Sequence, residues 1–505
     1  MRPFRSFSAG VLSAYALLVL APIATFFLVA LWDGLAPETW AELGRQMVRK
    51  SLLLNSLVLS TLTALGSALL GVPLGFLLAR TDVACRRVLL GLCAAPLFLP
   101  PFLWATAWQA GLQTHGLSGM GGAVLVLVLA LFPLVVLLAA VGFAQVDPAL
   151  EEEARLCGSE GQVFWHATLP LARPLLATGL VMVFLLALAE FGVPALMQVE
   201  VYPVAIYAAF SASYDFAQAA ALCLPLAGIA AGMAFLLQRL AYRVDFASLA
   251  VQHWAPRRVG LGSGRLAATL AAFTLFALVL GLPLGTLALK AGDFHAWSGA
   301  AGPMLWSLGL SALSASLLVL LGLLVAWPCQ RGYVRGGVWW VQGQTLLFVL
   351  PGAVVGLGLV ALWNRPWLGW FYGTPAMIVL GEVARFAPLM VGAFAAFLAQ
   401  VPKDGEEAIW LDGGGVVATF AHFVFPVTRR ALGVLWAMGF VLCMGELATA
   451  ILVAPPGMQT LAVRLFTIEA NAPQAHTASL ALILVVSCLA PLGLLLILLK
   501  KESIQ

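Results

Sequence analysis

Twelve apolar segments, each eighteen residues or longer, dominate this 505-residue chain. They run roughly over 9–31, 52–79, 88–111, 121–144, 174–197, 217–240, 266–289, 304–328, 338–362, 376–399, 431–454 and 477–499. A helix rises about 1.5 Å per residue, so each segment is long enough to cross a hydrocarbon layer about 30 Å thick. Backbone groups in such a layer must bond internally, which leaves only helices or a closed barrel. A barrel needs apolar and polar residues alternating in blocks of about ten, and these segments do not alternate. Charged residues make up 10% of the chain against 62% hydrophobic ones, too few to solvate a soluble domain of this length. The expected fold class is an all-α integral membrane protein with about 12 transmembrane helices in a lipid bilayer. Arg2 and Arg5 precede the apolar stretch Ala9 to Leu31 as in a signal peptide. That stretch is too long for one, and it reads as a retained first helix.

Basic residues orient the spans. With the N-terminus placed in the cytoplasm, the inside segments hold 19 lysines and arginines and the outside segments hold 6 (Arg45, Arg49, Lys50, Lys290, Arg365 and Arg464). Arg385 falls within a helix. The bias predicts that both termini are cytoplasmic. The net charge of +4 is scattered among membrane-flanking loops and gives no sign of nucleic-acid binding. The seven cysteines have no metal-ligand spacing, and most read as buried free thiols.

The chain is written twice. Ser56-Leu57 through Arg80 aligns with Ser307-Leu308 through Arg331, Leu99-Pro100 with Leu350-Pro351, and Pro133-Leu134 with Pro388-Leu389. Six spans per repeat keep the two halves parallel, related by an axis along the membrane normal. The expected organisation is a first repeat over 1–240, a cytoplasmic linker over 241–265 and a second repeat over 266–505. A polar loop recurs in each half, at 145–172 and 400–428, on the cytoplasmic side. The first copy reads Gln145-Val146, then Glu151-Glu152-Glu153-Ala154-Arg155-Leu156-Cys157-Gly158, and ends at Leu169-Pro170. The second reads Gln400-Val401, then Glu406-Glu407-Ala408-Ile409-Trp410-Leu411-Asp412-Gly413, and ends at Phe425-Pro426. The second is longer by one residue between the glycine and the proline. Glu152 and Glu407 sit where a short helix begins, which its dipole favours. Gly158 and Gly413 fit a helix stop with φ > 0. A second short helix is expected after each glycine, with Pro170 and Pro426 setting off the next span.

At these loops the sequence resembles the fused permease subunits of bacterial ABC importers. The family's loop reads Glu-Ala-Ala, three residues, Gly, nine residues, an apolar residue, any residue, Leu-Pro. The second copy fits that spacing with Ile409 for Ala and Phe425 for Leu, and the first has eight residues in place of nine. The resemblance implies a type I importer fold and an inner-membrane location. It also implies that Glu152, Ala154, Gly158, Leu169, Pro170, Glu407, Ala408, Gly413, Phe425 and Pro426 dock two copies of a cytoplasmic ATPase. A periplasmic substrate-binding protein is implied outside. No Gly-Lys-Ser/Thr phosphate cradle exists among the five lysines, so ATP hydrolysis is expected in a separate subunit and no cofactor in this one.

Charges inside spans are costly and mark candidate sites. Glu190 and Glu446 are equivalent in the fifth and eleventh spans. They read either as a translocation path for a cation or as acceptors for the backbone of a broken helix. Glu382 and Arg385 lie three apart on one helix face and read as a structural ion pair. Pro100, Pro101 and Pro351 are expected to kink their helices, and the kinks suit either a gate or static packing. His166 and His422 occupy matching loop positions and read as cytoplasmic contacts. The loop 198–216 carries Tyr202, Tyr207 and Tyr214 with Glu200 and Asp215, and reads as interfacial, as a contact for the binding protein or as a transient cation stop.

Among such permeases the stretches Ala189 to Leu196 and Pro455 to Arg464 look most like the iron(III) type. Thiamine, phosphonate and polyamine permeases share similar scaffolds and stay open as alternatives. A secondary transporter driven by an ion gradient is the competing class, and it does not predict the duplicated loop.

Overall fold

A computed structural model of the chain describes residues 2–33, 51–112, 118–213, 216–242, 258–292, 294–469 and 471–502. The middle of the expected linker, 243–257, lies outside the described residues, as do Tyr214, Asp215, Arg45, Arg49 and Lys50. Among the described residues the chain is helical throughout, and its one β-contact is an isolated parallel bridge between Thr81 and Val259.

The first half contains α1 (Arg2–Tyr15), α2 (Ala21–Asp33), α3 (Leu52–Arg80), α4 (Arg86–Ala94), α5 (Pro101–Leu112) and α6 (Gly119–Ala144). The loop copy follows as α7 (Pro148–Cys157) and α8 (Glu160–Val163). After it come α9 (Leu169–Ala189), α10 (Gly192–Leu196), α11 (Tyr202–Ser213) and α12 (Phe216–Tyr242). The second half contains α13 (Gly264–Phe276), α14 (Leu282–Lys290), α15 (Phe294–Arg331), α16 (Gly337–Val349), α17 (Gly352–Trp363) and α18 (Ala376–Ala399). Its loop copy is α19 (Asp404–Leu411) and α20 (Val416–Thr419). The chain ends with α21 (Phe425–Met444), α22 (Ala450–Val453), α23 (Leu461–Ile468) and α24 (Gln474–Glu502).

Among the described residues nine helices are long and apolar enough to cross a membrane, or up to eleven if two bent pairs each count as a span. The bends are 99° at Leu99-Pro100-Pro101 and 98° at Leu350-Pro351-Gly352. Proline lacks the N–H that would continue the helix ladder, and its ring excludes the preceding turn. Helix packing fixes what these bent pairs do. Gly66 of α3 meets Val128 of α6, Gly71 meets Val135, and Gly75 meets Ala139. The contacts advance together along both helices, so α3 and α6 are parallel and end on one face. The chain leaves α3 on that face and enters α6 on the other, so the bent pair α4–α5 carries it across. The second half repeats this logic. Gly322 of α15 meets Met390 and Phe394 of α18, while Arg331 at the end of α15 donates to the Leu398 and Val401 carbonyls.

The α3–α6 contact depends on missing side chains. A Cβ on Gly75 would lie 2.6 Å from the Ala139 Cβ and 2.8 Å from the Val136 carbonyl oxygen. With little hydrophobic drive between helices in lipid, such close backbone approach supplies the attraction.

The chain forms two compact units, and neither is a sequence repeat. One comprises 50–204 and 229–292, the other 1–49, 205–228 and 293–505. In the first unit α13 and α14 join the first-half helices: Phe276 and Val279 pack with Leu74, Leu78 and Phe132 in one buried cluster. In the second unit α2 lies against α17, with Pro22 in direct contact with Gly358. Each half's opening span thus packs within the unit built mainly from the other half. The expected boundaries at 240 and 266 follow the repeat and do not follow this packing.

Candidate coupling site

The first loop begins where α6 ends. Asp147 caps α7, its carboxylate accepting from the Ala149 N–H at 2.9 Å, and Pro148 takes the first helical position. Helical spacing then divides the acidic run. Glu151 is buried, Glu152 and Glu153 are exposed, and Ala154 is half-buried. Leu156 stands 87% exposed at the far end. In the second loop α19 does the same. Glu406 is buried, Glu407 and Ala408 are exposed, and Leu411 is 89% exposed. Leu156 and Leu411 are equivalent, so each half presents one short helix tipped by a bare leucine. Exposed apolar side chains beside acidic ones suit a protein partner.

Two expectations about the turns need correction. Gly413 has φ +82° and ends its helix as expected, but Gly158 has φ −165°, an extended conformation open to any residue. The first loop is one residue shorter and closes differently. Ser159 and Gln162 form a capping box, the Ser159 N–H donating to the Gln162 side chain at 2.8 Å. Nor is there a separate second short helix. Residues 160–189 form one continuous helix, and so do 416–444. Each contains a wide π-turn, at Phe164–Thr168 and Phe420–Val424, in which the Leu169 N–H bonds to the Phe164 carbonyl and the Phe425 N–H to that of Phe420. The wide turn comes immediately before Pro170 or Pro426, where the missing N–H would otherwise break the ladder. Leu169 and Pro170 are half-buried, and Phe425 and Pro426 are exposed. His166 and His422 keep to the helix surface, each ring Nδ1 2.9 Å from the carbonyl four residues back.

The strongest local feature was not among the expected sites. Glu151 pairs with Arg80 at the end of α3, both side chains 3% exposed. The Thr168 hydroxyl donates to the other Glu151 oxygen at 2.6 Å, and Arg80 also donates to the Phe143 carbonyl. Glu406 pairs with Arg331 at 2.7 Å, with exposures of 1% and 3%. Trp327 and Tyr333 each donate to Glu406 at 3.1 Å. Burial, with Glu406 beside it, pushes the Tyr333 hydroxyl up from its ordinary pKa and keeps it a donor. The signal for these pairs was present in the repeat: Arg80 aligns with Arg331 and Glu151 with Glu406.

Other candidates fall into place around the breaks. Glu190 accepts from the Gly192 and Val193 N–H groups at 3.1 and 3.3 Å, and Glu446 accepts from the Thr449 N–H at 2.8 Å. Each carboxylate thereby satisfies the start of the short helix after it, α10 or α22. Glu382 is buried beside Ser314, Cys443 and Glu446, while Arg385 donates to the Leu350 carbonyl. Arg385 therefore serves the carbonyl left open by the Pro351 break, a favourable end for a cation. Pro100 and Pro351 are buried at the two bends, and Pro101 is half-buried. Among the described residues no three His, Cys, Asp or Glu side chains converge as metal ligands.

Residues 71–247 match the family described as "Binding-protein-dependent transport system inner membrane component". The chain is 25% identical over 472 residues to an "Fe(3+)-transport system permease protein" of Haemophilus influenzae, covering 90% of each. It is 25% identical over 460 residues to a "Ferric transport system permease protein" of Actinobacillus pleuropneumoniae, covering 82% of this chain and 66% of that one. It is 32% identical over 249 residues to a "Probable molybdenum ABC transporter permease protein" of Haloferax volcanii, covering 46% of this chain and 87% of that one. With the apolar helices, the bent spans and the repeated loop, these likenesses place the chain in the family of binding-protein-dependent inner-membrane transport components, as a multi-pass ABC permease subunit whose ATP is hydrolysed elsewhere.

Proposed function

We propose that this permease imports iron(III) delivered by a periplasmic binding protein, driven by two copies of an ATPase bound to its two cytoplasmic loops. The observation that carries the coupling role is the twin short helix, α7 and α19, each with a buried glutamate, an exposed glutamate and a bare leucine. Two like surfaces suit two like subunits. Residues 152, 154, 158, 169 and 170 of one loop, and 407, 408, 413, 425 and 426 of the other, form the proposed docking regions. The basic-residue bias supports cytoplasmic loops and termini. Twelve crossings are proposed: the nine long helices, the two bent pairs, and α24, whose apolar part is Gln474–Ala490 and which packs beside α15 and α21.

Iron(III) is favoured because the relative named for it spans both halves of this chain, whereas the molybdenum relative covers about one half. Glu190 and Glu446 are proposed to face the path, each held in place by the backbone it caps. The bends at Pro100, Pro101 and Pro351 are proposed to move as a gate. The permease, its ATPase and its binding protein, reconstituted in liposomes, should accumulate radioactive ferric ion only with internal ATP. Accumulation of molybdate instead, the reading favoured by the higher identity of the third relative, would replace iron as cargo. Uptake without any ATPase would remove the whole scheme.

A further inference from the structure

The two loops differ in how their parts are tied, and the difference centres on the buried ion pairs. In each half an arginine at the end of a long span, Arg80 or Arg331, grips a glutamate one residue before the exposed docking face. The arginine also holds carbonyls at the end of the next parallel span, Phe143 or Leu398 and Val401. Two span ends and one loop helix thus meet at a single guanidinium. Fork-shaped donors fix direction as well as distance, which a flexible lysine would not do.

The second leg of each loop is held by different chemistry. In the first half the same carboxylate also accepts from Thr168, which lies in the π-turn leading to α9. The equivalent residue in the second half is Val424, which has no donor. There the legs are joined instead by Trp410, whose indole N–H donates to the Thr419 hydroxyl at 2.8 Å. The first-half equivalents of that pair are Arg155 and Val163, and there Arg155 pairs with the Glu160 carboxylate at the start of the second leg.

We propose that Arg80–Glu151 and Arg331–Glu406 are positioning residues that make each loop helix move as one body with the cytoplasmic ends of its two parallel spans, and that in the first half the same carboxylate also carries the second leg. This rests on the reading that the loops bind an ATPase. Force applied at Leu156 or Leu411 then reaches the spans through a buried, hydrogen-bonded joint, not through a loose backbone connection. The first joint is the more vulnerable, because one carboxylate holds three structural parts.

The test uses the full permease–ATPase complex in lipid nanodiscs. Spin labels at the outer ends of α3 and α15 report ATP-driven movement without any cargo, and phosphate release reports hydrolysis. The double variants Arg80→Met/Glu151→Leu and Arg331→Met/Glu406→Leu remove both charges of a pair together, so that no ion is left buried alone. Each should hydrolyse ATP within about twofold of wild type and lose at least about tenfold of the labelled movement on its own side. The charge exchange Arg331→Glu/Glu406→Arg should recover part of it. Thr168→Val, too mild to unfold the chain, should cut movement in the first half severalfold and leave the second unchanged. Full movement in the neutral doubles and in Thr168→Val overturns the proposal. Absence of ATP-driven movement in the wild type would instead defeat the ATPase-docking reading.

Discussion

Replacing Gly413 by alanine tests how far the shape of the second loop matters to its partner. Its φ of +82° lies in the left-handed region, and a Cβ there would meet nothing within 4 Å. The cost of alanine is therefore conformational and local, about 1–2 kcal/mol. Since about 1.4 kcal/mol is a factor of ten in an equilibrium, the native turn loses about five- to thirtyfold in population relative to alternatives. If the ATPase selects that turn, its dissociation constant rises by up to that factor, and by the whole of it where the turn is the minor form in the free permease. Gly413→Asn should cost less, because asparagine tolerates this region. Gly158→Ala is the internal control. Its φ of −165° carries no backbone penalty, and its Cβ would press on the Gln162 side chain alone, 2.8 Å from its Oε1 and 3.2 Å from its Cβ. The loss there is part of a cap, about 0.5–1 kcal/mol. Binding of the ATPase to nanodisc-held permease, followed by interferometry, should rank Gly413→Ala weakest, then Gly413→Asn, then Gly158→Ala. Equal losses at the two glycines would refute the argument from backbone conformation.

Three further outcomes follow from packing and charge. Gly75→Val should lower the thermal unfolding midpoint in detergent and reduce the folded yield, because its Cβ would collide with the α6 backbone; overpacking of this kind costs about 1–3 kcal/mol. Tyr15→Phe should destabilise by about 1–3 kcal/mol, since the buried Gln344 oxygen loses the donor it now has, and Tyr15→Phe/Gln344→Leu should regain much of that in the same melt. The Glu469 carboxyl, just past α23, is pushed up to about 7 by burial. A raised carboxyl favours the folded state at low pH, so this contribution is full below about 4.5 and is lost as pH rises through about 7. The midpoint should fall between pH 5 and 8 more steeply in wild type than in Glu469→Gln, and parallel curves would exclude Glu469 as the cause.

Much of the architecture was legible because hydropathy and proline act locally. Most apolar runs became a helix or a bent pair, while 174–197 and 431–454 break at Glu190 and Gly445 into a long helix and a short one; the two bends sit at Leu99-Pro100-Pro101 and Leu350-Pro351-Gly352, where proline removes a donor. The packing of the opening spans was not legible, since an apolar helix carries no mark of which helices it will meet. Gly158 misled because the missing residue shifts the turn to an N-cap at Ser159, and glycine tolerates either geometry. The continuity through Pro170 was hidden for a related reason: proline near a helix start reads as a beginning, and only the π-turn before it lets the helix pass. In Glu151-Glu152-Glu153 three identical side chains follow one another, and only the opposing arginine decides which one is buried.

The two loops show which features duplication held fixed and which it released. The bare leucine, the exposed glutamate and the arginine-held glutamate recur in both copies. The side-chain bonds between the two legs do not: they are Glu151–Thr168 and Arg155–Glu160 in one copy and Trp410–Thr419 in the other. A buried pair cannot be altered one partner at a time without stranding a charge, which costs about 3–5 kcal/mol. A hydroxyl–indole contact can be gained or lost for about 0.5–1.5 kcal/mol. The larger barrier preserves the joint to the spans, while the smaller one lets the inner tie drift with the one-residue change in the turn. If the two loops fit like partners, as proposed, the outer shape and the root of each loop must be kept alike between copies, while different chemistry between them is tolerated.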